Sequence, residues 1–361
     1  MSSLHLDSLE IKNFRCFEHL VIEKLGRVNL IVGKNSVGKT ALLEGLWLLA
    51  AHTDFQKVVQ TILYTRNELV TYRAPGSIPA PYASELECQE QAEAFRKLFF
   101  GRPKKVTQPI EIITNHRLSL GLDEWGGETQ QRYTKLCPVK IIDGQSAVHY
   151  NWLPLPEKGH IEQQIIALSI ERRFVFRPVT GLSWQALSAY WDTVALTDSE
   201  NNVIDSLNAV IEGVERFTFK GEHQPDKIRY PVVRVFGEEE PLPLASLGEG
   251  AGRALGLALA LVNCSNGFLF VDEFDTGLHH SVQTQIWRLI FRTAAELNVQ
   301  VFATTHSWDC VEAFQEAAAE DQNEEAMLIR LQKKRDGSGI EAVLYDERRL
   351  TIATEENIEV R

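Results

Sequence analysis

From Leu4 to Phe17, apolar residues alternate with polar ones (Leu4, Leu6, Leu9, Ile11). That two-residue period predicts a strand with one buried face. Val28 to Val32 is a short, mostly apolar run of the kind buried on both faces of a sheet. Ala41 to Ala51 predicts an apolar helix. Ile110 to Ile113 and Val139 to Ile142 predict strands of an antiparallel sheet, with a turn over Asp123 to Gly127. Residues 160–215 read as helical, with Ser199 to Asn202 as an N-terminal cap region. Pro231 to Val235 returns to strand and Gly252 to Val262 to helix. The last third alternates: Phe268 to Val271 strand, Val282 to Leu297 helix, Val299 to Thr304 strand. Leu328 to Leu331 and Ala342 to Tyr345 read as edge strands. Such alternation predicts a mostly parallel sheet with helices on both faces. Ala74 to Pro81, rich in proline, is loop chemistry. No internal repeat or long heptad array interrupts this pattern.

The chain has 361 residues, 44% of them hydrophobic and 24% charged, enough for a large core in one or two domains. Its formal net charge of -12 opposes non-specific wrapping of duplex DNA. Three basic stretches (Arg96-Lys97 with Arg102, Lys104 and Lys105; Arg172-Arg173; Lys333 to Arg335) read first as solvated surface. The five cysteines (Cys16, Cys88, Cys137, Cys264, Cys310) are scattered and form no CxxC pair. That spacing argues against a disulfide framework or zinc site and fits a reducing cytoplasm. No apolar run is long enough to span a bilayer, and Met1 to Arg15 has no apolar signal core. A cytoplasmic protein with no membrane partner is expected.

Four stretches carry chemistry. Gly33-Lys34-Asn35-Ser36-Val37-Gly38-Lys39-Thr40 matches G-x-x-x-x-G-K-[ST] between a predicted strand and the helix that starts near Ala41. Its glycines let successive N–H groups face one phosphate, and the helix start adds its positive dipole end. Lys39 then reaches the outer phosphates and Thr40 ligates Mg²⁺. Phe268 to Val271 runs into Asp272 and Glu273 at a strand's C-terminal end, where open α/β sheets place ligands. Asp272 is the candidate Mg²⁺ carboxylate and Glu273 the candidate base for an attacking water. Ser246, Gly248 and Glu249 open a helix, where a hydroxyl and free N–H groups form a second anion site, or else a plain capping box from Ser246 to Glu249. One phosphate cradle already serves the chain, so a second suggests the nucleotide of another copy. His306 follows a further buried strand and is a candidate for bonding the γ-phosphate or the water. Asp275, His279 and His280 read as a loop at a subunit junction rather than a metal site.

In this order the motifs resemble the ABC-type ATPase branch that includes SMC-like proteins, RecF and the OLD ATPases. Leu9 to Phe17 is similar to that branch's first strand, Gly33 to Thr40 to its Walker A, Ser246 to Gly250 to its signature and Phe268 to Glu273 to its Walker B. Phe274 to His280 is similar to the D-loop region of OLD-like ATPases, with His280 where proline is common. The resemblance implies that Arg15 touches the nucleotide, that Thr305-His306 is the switch, and that ATP sits between two copies of the chain. Gln89, Gln91 and Gln108 remain equal candidates for a Q-loop residue.

The implied architecture is α/β: a P-loop ABC-type ATPase domain over 1–55 and 230–361, with strands from 110–150. A mostly helical lobe is inserted over 56–105 and 155–229. The implied activity is ATP hydrolysis by a homodimer or higher oligomer, in anti-phage defence or DNA maintenance. OLD nucleases carry a TOPRIM domain, but no Asp-x-Asp pair follows His306. A separate effector such as a TOPRIM or HNH nuclease is therefore expected. Direct DNA binding of the RecF kind is the alternative.

Overall fold

The computed structural model describes residues 4–51, 54–69, 93–103, 106–114, 117–120, 140–142, 160–208, 210–221, 229–320 and 325–346. At its centre is β3 (Val28–Val32), with all five residues buried. On one side β3 pairs in parallel with β12 (Gln300–Thr304), then come β11 (Phe268–Val271) and β7 (Phe174–Arg177). On the other it pairs in parallel with β13 (Ala326–Lys333), and β14 (Ile340–Asp346) closes that edge antiparallel. The continuous apolar runs follow from this placement, because both faces are covered. Leu30, Leu269, Val271 and Val301 face one core, while Ile31, Phe270 and Phe302 face the other.

The second core lies under α1 (Lys39–Ala50), α2 (Phe55–Thr65) and an antiparallel sheet. That sheet runs β2 (Phe17–Ile22), β1 (Leu9–Phe14), β4 (Ile110–Ile113), β5 (Arg117–Leu120) and β6 (Lys140–Ile142). The first core holds α4 (Trp184–Val194), α5 (Ser199–Asn208), α6 (Glu249–Asn263), α7 (His280–Glu296) and α8 (Trp308–Glu320). A three-stranded sheet of β8 (Val214–Lys220), β9 (Tyr230–Val235) and β10 (Leu242–Pro243) packs there too, and α3 (His160–Arg172) leads into β7.

Two fully buried amides tie the sheet to the N-terminal segment. Gln300 accepts from the Leu6 N–H at 2.9 Å and donates to the Leu6 and Gly26 carbonyls, both at 2.8 Å. Asn29 accepts from the Gly26 N–H and donates to the carbonyls of Gly26 and Val301.

The α/β class and the mostly parallel sheet are as the apolar pattern predicted. Four details differ. The first strand is a hairpin of two, because Asn13 (φ 56°) and Arg15 (φ 52°) turn the chain in the left-handed region. Leu328–Leu331 is interior, between β3 and β14, not an edge. β7 and β8 lie in a stretch read as helical or left unassigned. β7 also falls inside the interval 155–229 expected to form the lobe, yet it extends the central sheet. The stretch Ala74 to Pro81, the turn at Asp123 to Gly127, Cys88, Cys137, Gln89 and Gln91 lie outside the described residues. Gln108 is exposed, and its carbonyl accepts from Asn13 Nδ2 at 2.8 Å.

Candidate nucleotide site

The loop from Gly33 to Gly38 leaves the C-terminal end of β3 and enters α1. Gly33 (φ 146°) and Gly38 (φ 97°) occupy backbone conformations that side chains rarely adopt. A Cβ on Gly33 would collide with the Leu331 carbonyl, and one on Gly38 with the Cys16 thiol and the Phe17 ring. Gly38 caps α1 without a side-chain acceptor, so the first-turn N–H groups stay available to an anion. Lys34 and Asn35 are exposed on the loop, while Val37 is buried beneath it.

Lys39 is 6% exposed, and its ammonium curls back to donate to the Gly33 carbonyl at 2.8 Å and the Lys34 carbonyl at 3.3 Å. It lies 3.2 Å from His306 Nδ1. Burial holds its pKa below the usual lysine range, against the raising pull of Asp272 and Glu273. Burial and the Lys39 charge together push His306 down, which keeps its imidazole neutral at pH 7.

Thr40 donates to the Asp272 carboxylate at 2.9 Å. One hydroxyl then links both acidic residues: Thr304 Oγ donates to Asp272 at 2.7 Å and accepts from the Glu273 N–H at 2.8 Å. Glu273 itself has φ 47°, a strained value for a non-glycine residue. Thr276 donates to its carboxylate at 3.2 Å. The pairing of β11, β12 and β3 in one parallel register brings these loops to the same end of the sheet.

Lys39, Thr40, Asp272, Glu273 and His306 line a cleft of about 410 Å³, with Ala41 beside them. Four further cations line it: Arg15, Arg66, Lys97 and Arg102. Arg15 lies 3.3 Å from Glu44 and donates to Glu68 at 2.7 Å. Arg66 donates to Glu44 at 2.6 Å. Burial raises the Glu44 pKa, and the two guanidinium groups oppose that rise. Sequence reasoning missed Arg66, which no motif marks. It read Lys97 and Arg102 as solvated surface, though their cluster was the available signal.

Ser246, Gly248 and Glu249 do not line this cleft. All three are exposed, Ser246 donates to the Pro243 carbonyl at 2.7 Å, and Gly248 (φ 96°) caps α6. Glu249 pairs with Arg253 at 3.2 Å, and α6 has no side-chain cap, so no capping box forms. His279 caps α7 by accepting from the Ser281 N–H, and His280 opens that helix. Among the described residues no cluster of His, Cys, Asp or Glu forms a metal site of its own.

A profile described as an AAA ATPase domain matches residues 5–98 and 185–311, both flanks of this cleft. The chain belongs to the AAA ATPase domain family. It is therefore an ATP-hydrolysing enzyme, in keeping with the kinship its motifs suggested. Over 353 residues it is 22% identical to an ATP/GTP phosphatase of Helicobacter pylori, spanning 87% of this chain and 89% of that protein. It is also 29% identical over 141 residues to the DNA replication and repair protein RecF of Pseudoalteromonas translucida, 36% of each chain. Among solved structures it is similar to the SMC head domain of Thermotoga maritima (TM-score 0.44, 14% identity, 95% of this chain and 99% of that one). An SmcHead bound to the C-winged helix domain of ScpA is similar at TM-score 0.48 and 12% identity, over 94% and 97% of the two chains. No helix among the described residues is long and apolar enough to cross a membrane.

Proposed function

We propose that two copies of the chain enclose ATP, each giving its phosphate loop to one nucleotide and its α6 start to the other. The observation that carries this is the division of the motifs. Lys39, Thr40, Asp272, Glu273 and His306 share one cleft, while Ser246, Gly248 and Glu249 stand outside it, exposed. A second copy is the simplest source of the missing side.

In this reading Gly33 to Ala41 cradle the polyphosphate. Lys39 turns from the Gly33 carbonyl to the outer phosphates, and Arg15 of the same cleft supports them. A hydroxyl and a carboxylate already in contact, Thr40 and Asp272, are the hard oxygen donors that Mg²⁺ favours. When bound, that ion would neutralise charge on the β- and γ-phosphates. Glu273 holds and deprotonates the attacking water, and neutral His306 hydrogen-bonds that water or donates its ring N–H to the γ-phosphate. Ser246 and Gly248 of the other copy bind the γ-phosphate through a hydroxyl and a helix N-terminus.

Closure around ATP would regulate a separate effector, with a nuclease in anti-phage defence or DNA maintenance as the leading form. The partial similarity to RecF supports the second reading, an ATPase that meets DNA directly. The net charge of -12 weighs against that reading.

The Glu273→Gln variant decides the mechanism. It should bind ATP, lose at least about 100-fold in turnover, and run as a dimer with ATP by light scattering. A monomer that hydrolyses ATP at the normal rate would sink the proposal.

A further inference from the structure

A second cleft of about 370 Å³ opens between the end of β7 and the start of α6. Its walls are largely apolar, with Leu182, Trp184 and Leu187 facing the bare helix surface at Gly252 and Gly256. Arg177 also lines it, at the last position of β7. That residue is only 1% exposed, and neither terminal guanidinium nitrogen has a hydrogen-bond partner. Burial and the charge of Arg253 lower its pKa to about 10.

Charge this deep is costly unless something pairs with it. None of the described residues does so: Glu249, the carboxylate on the rim, is engaged with Arg253 at 3.2 Å, and Arg253 also donates to the Val179 carbonyl at 2.9 Å. One unpaired guanidinium fork matches one carboxylate, two oxygens to two N–H donors. Apolar walls and an indole match an apolar or aromatic body, and the volume is that of a small-molecule pocket. We infer that this cleft binds a small organic monocarboxylate, with its carboxylate on Arg177 and its apolar part against Leu182 and Trp184.

The location links the ligand to the nucleotide site. The Arg177 carbonyl accepts from the Asp272 N–H at 2.9 Å, and Gly248, the cap of α6, lines the cleft with Glu249. Occupancy would therefore reach both sides of the proposed catalytic arrangement, through β7 on one side and the start of α6 on the other.

Benzoate is the probe, read by saturation-transfer NMR and by thermal shift on the full chain without nucleotide. Wild type should bind it saturably near millimolar concentration and melt later in its presence. Arg177→Met should abolish both effects while melting no earlier than wild type without benzoate, since it removes an unpaired buried charge. Gly256→Ala keeps the arginine and narrows the cleft. Its Cβ meets Leu187 at an ordinary 3.9 Å, so the fold should hold while benzoate binds more weakly. No benzoate binding to wild type, binding that persists in Arg177→Met, or binding unchanged in Gly256→Ala overturns the inference. So does a wild type that responds to inorganic phosphate and not to benzoate. None of these readouts depends on ATP turnover, so failure here and failure of the ATP mechanism are distinguishable.

Discussion

His306 shows how one side chain is tuned by its neighbours. It stands within hydrogen-bonding distance of a cation, Lys39, and both burial and that charge disfavour its protonation. Its midpoint in the folded protein should lie below the ordinary 6.5. The unfolded chain then takes up the proton first as pH falls. Stability is therefore lost as pH drops from about 6.5 through the folded midpoint, and the neutral form is kept above. An NMR titration of the ring should give that low midpoint, and Lys39→Met should raise it. A midpoint unmoved by Lys39→Met would leave burial as the whole cause.

At the scale of elements, α1 is held from both sides of Glu44. Arg15 belongs to the turn between β1 and β2, and Arg66 to the residue after α2, and both meet this buried carboxylate. Glu44→Ala leaves two guanidinium groups against an apolar helix, and should cost about 3 kcal/mol by urea denaturation. Loss of less than ~1 kcal/mol would mean that Glu68 takes over both. Motifs made of neighbouring residues, such as Gly33 to Thr40 and Phe268 to Glu273, were legible because a strand, a loop and a helix are written locally. The cationic lining was not, since Arg66 acquires its setting from residues distant in sequence. β7 escaped for a different reason. Four residues ending in arginine give too short a period to separate strand from helix, and only pairing with β11 decides it. β13 reads as an edge from its sequence, yet its first four residues are all buried in the structure. Burial on both faces belongs to an interior strand.

For the whole molecule, the separation of the two proposed phosphate-binding surfaces makes a mixing experiment decisive. Lys39→Ala disables the cradle, and Ser246→Arg places a bulky charge on the exposed surface opposite. Each variant alone should be inactive. Mixed in equal amounts, half the dimers would be hybrids, each with one intact composite site, so about a quarter of wild-type ATPase should return. No recovery on mixing would place Ser246 within its own chain's chemistry.

The Thr304 hydroxyl carries one more implication. It is a shared tether: the proposed metal carboxylate and the backbone of the proposed base hang from the same oxygen atom, on the last residue of β12, two positions before His306. Three parts of the reaction are thereby geared to the position of β12. A displacement of that strand by a few tenths of an ångström would detune all three together. In the proposed mechanism, a change that retunes one of these acids without its neighbour has to come from somewhere other than this strand.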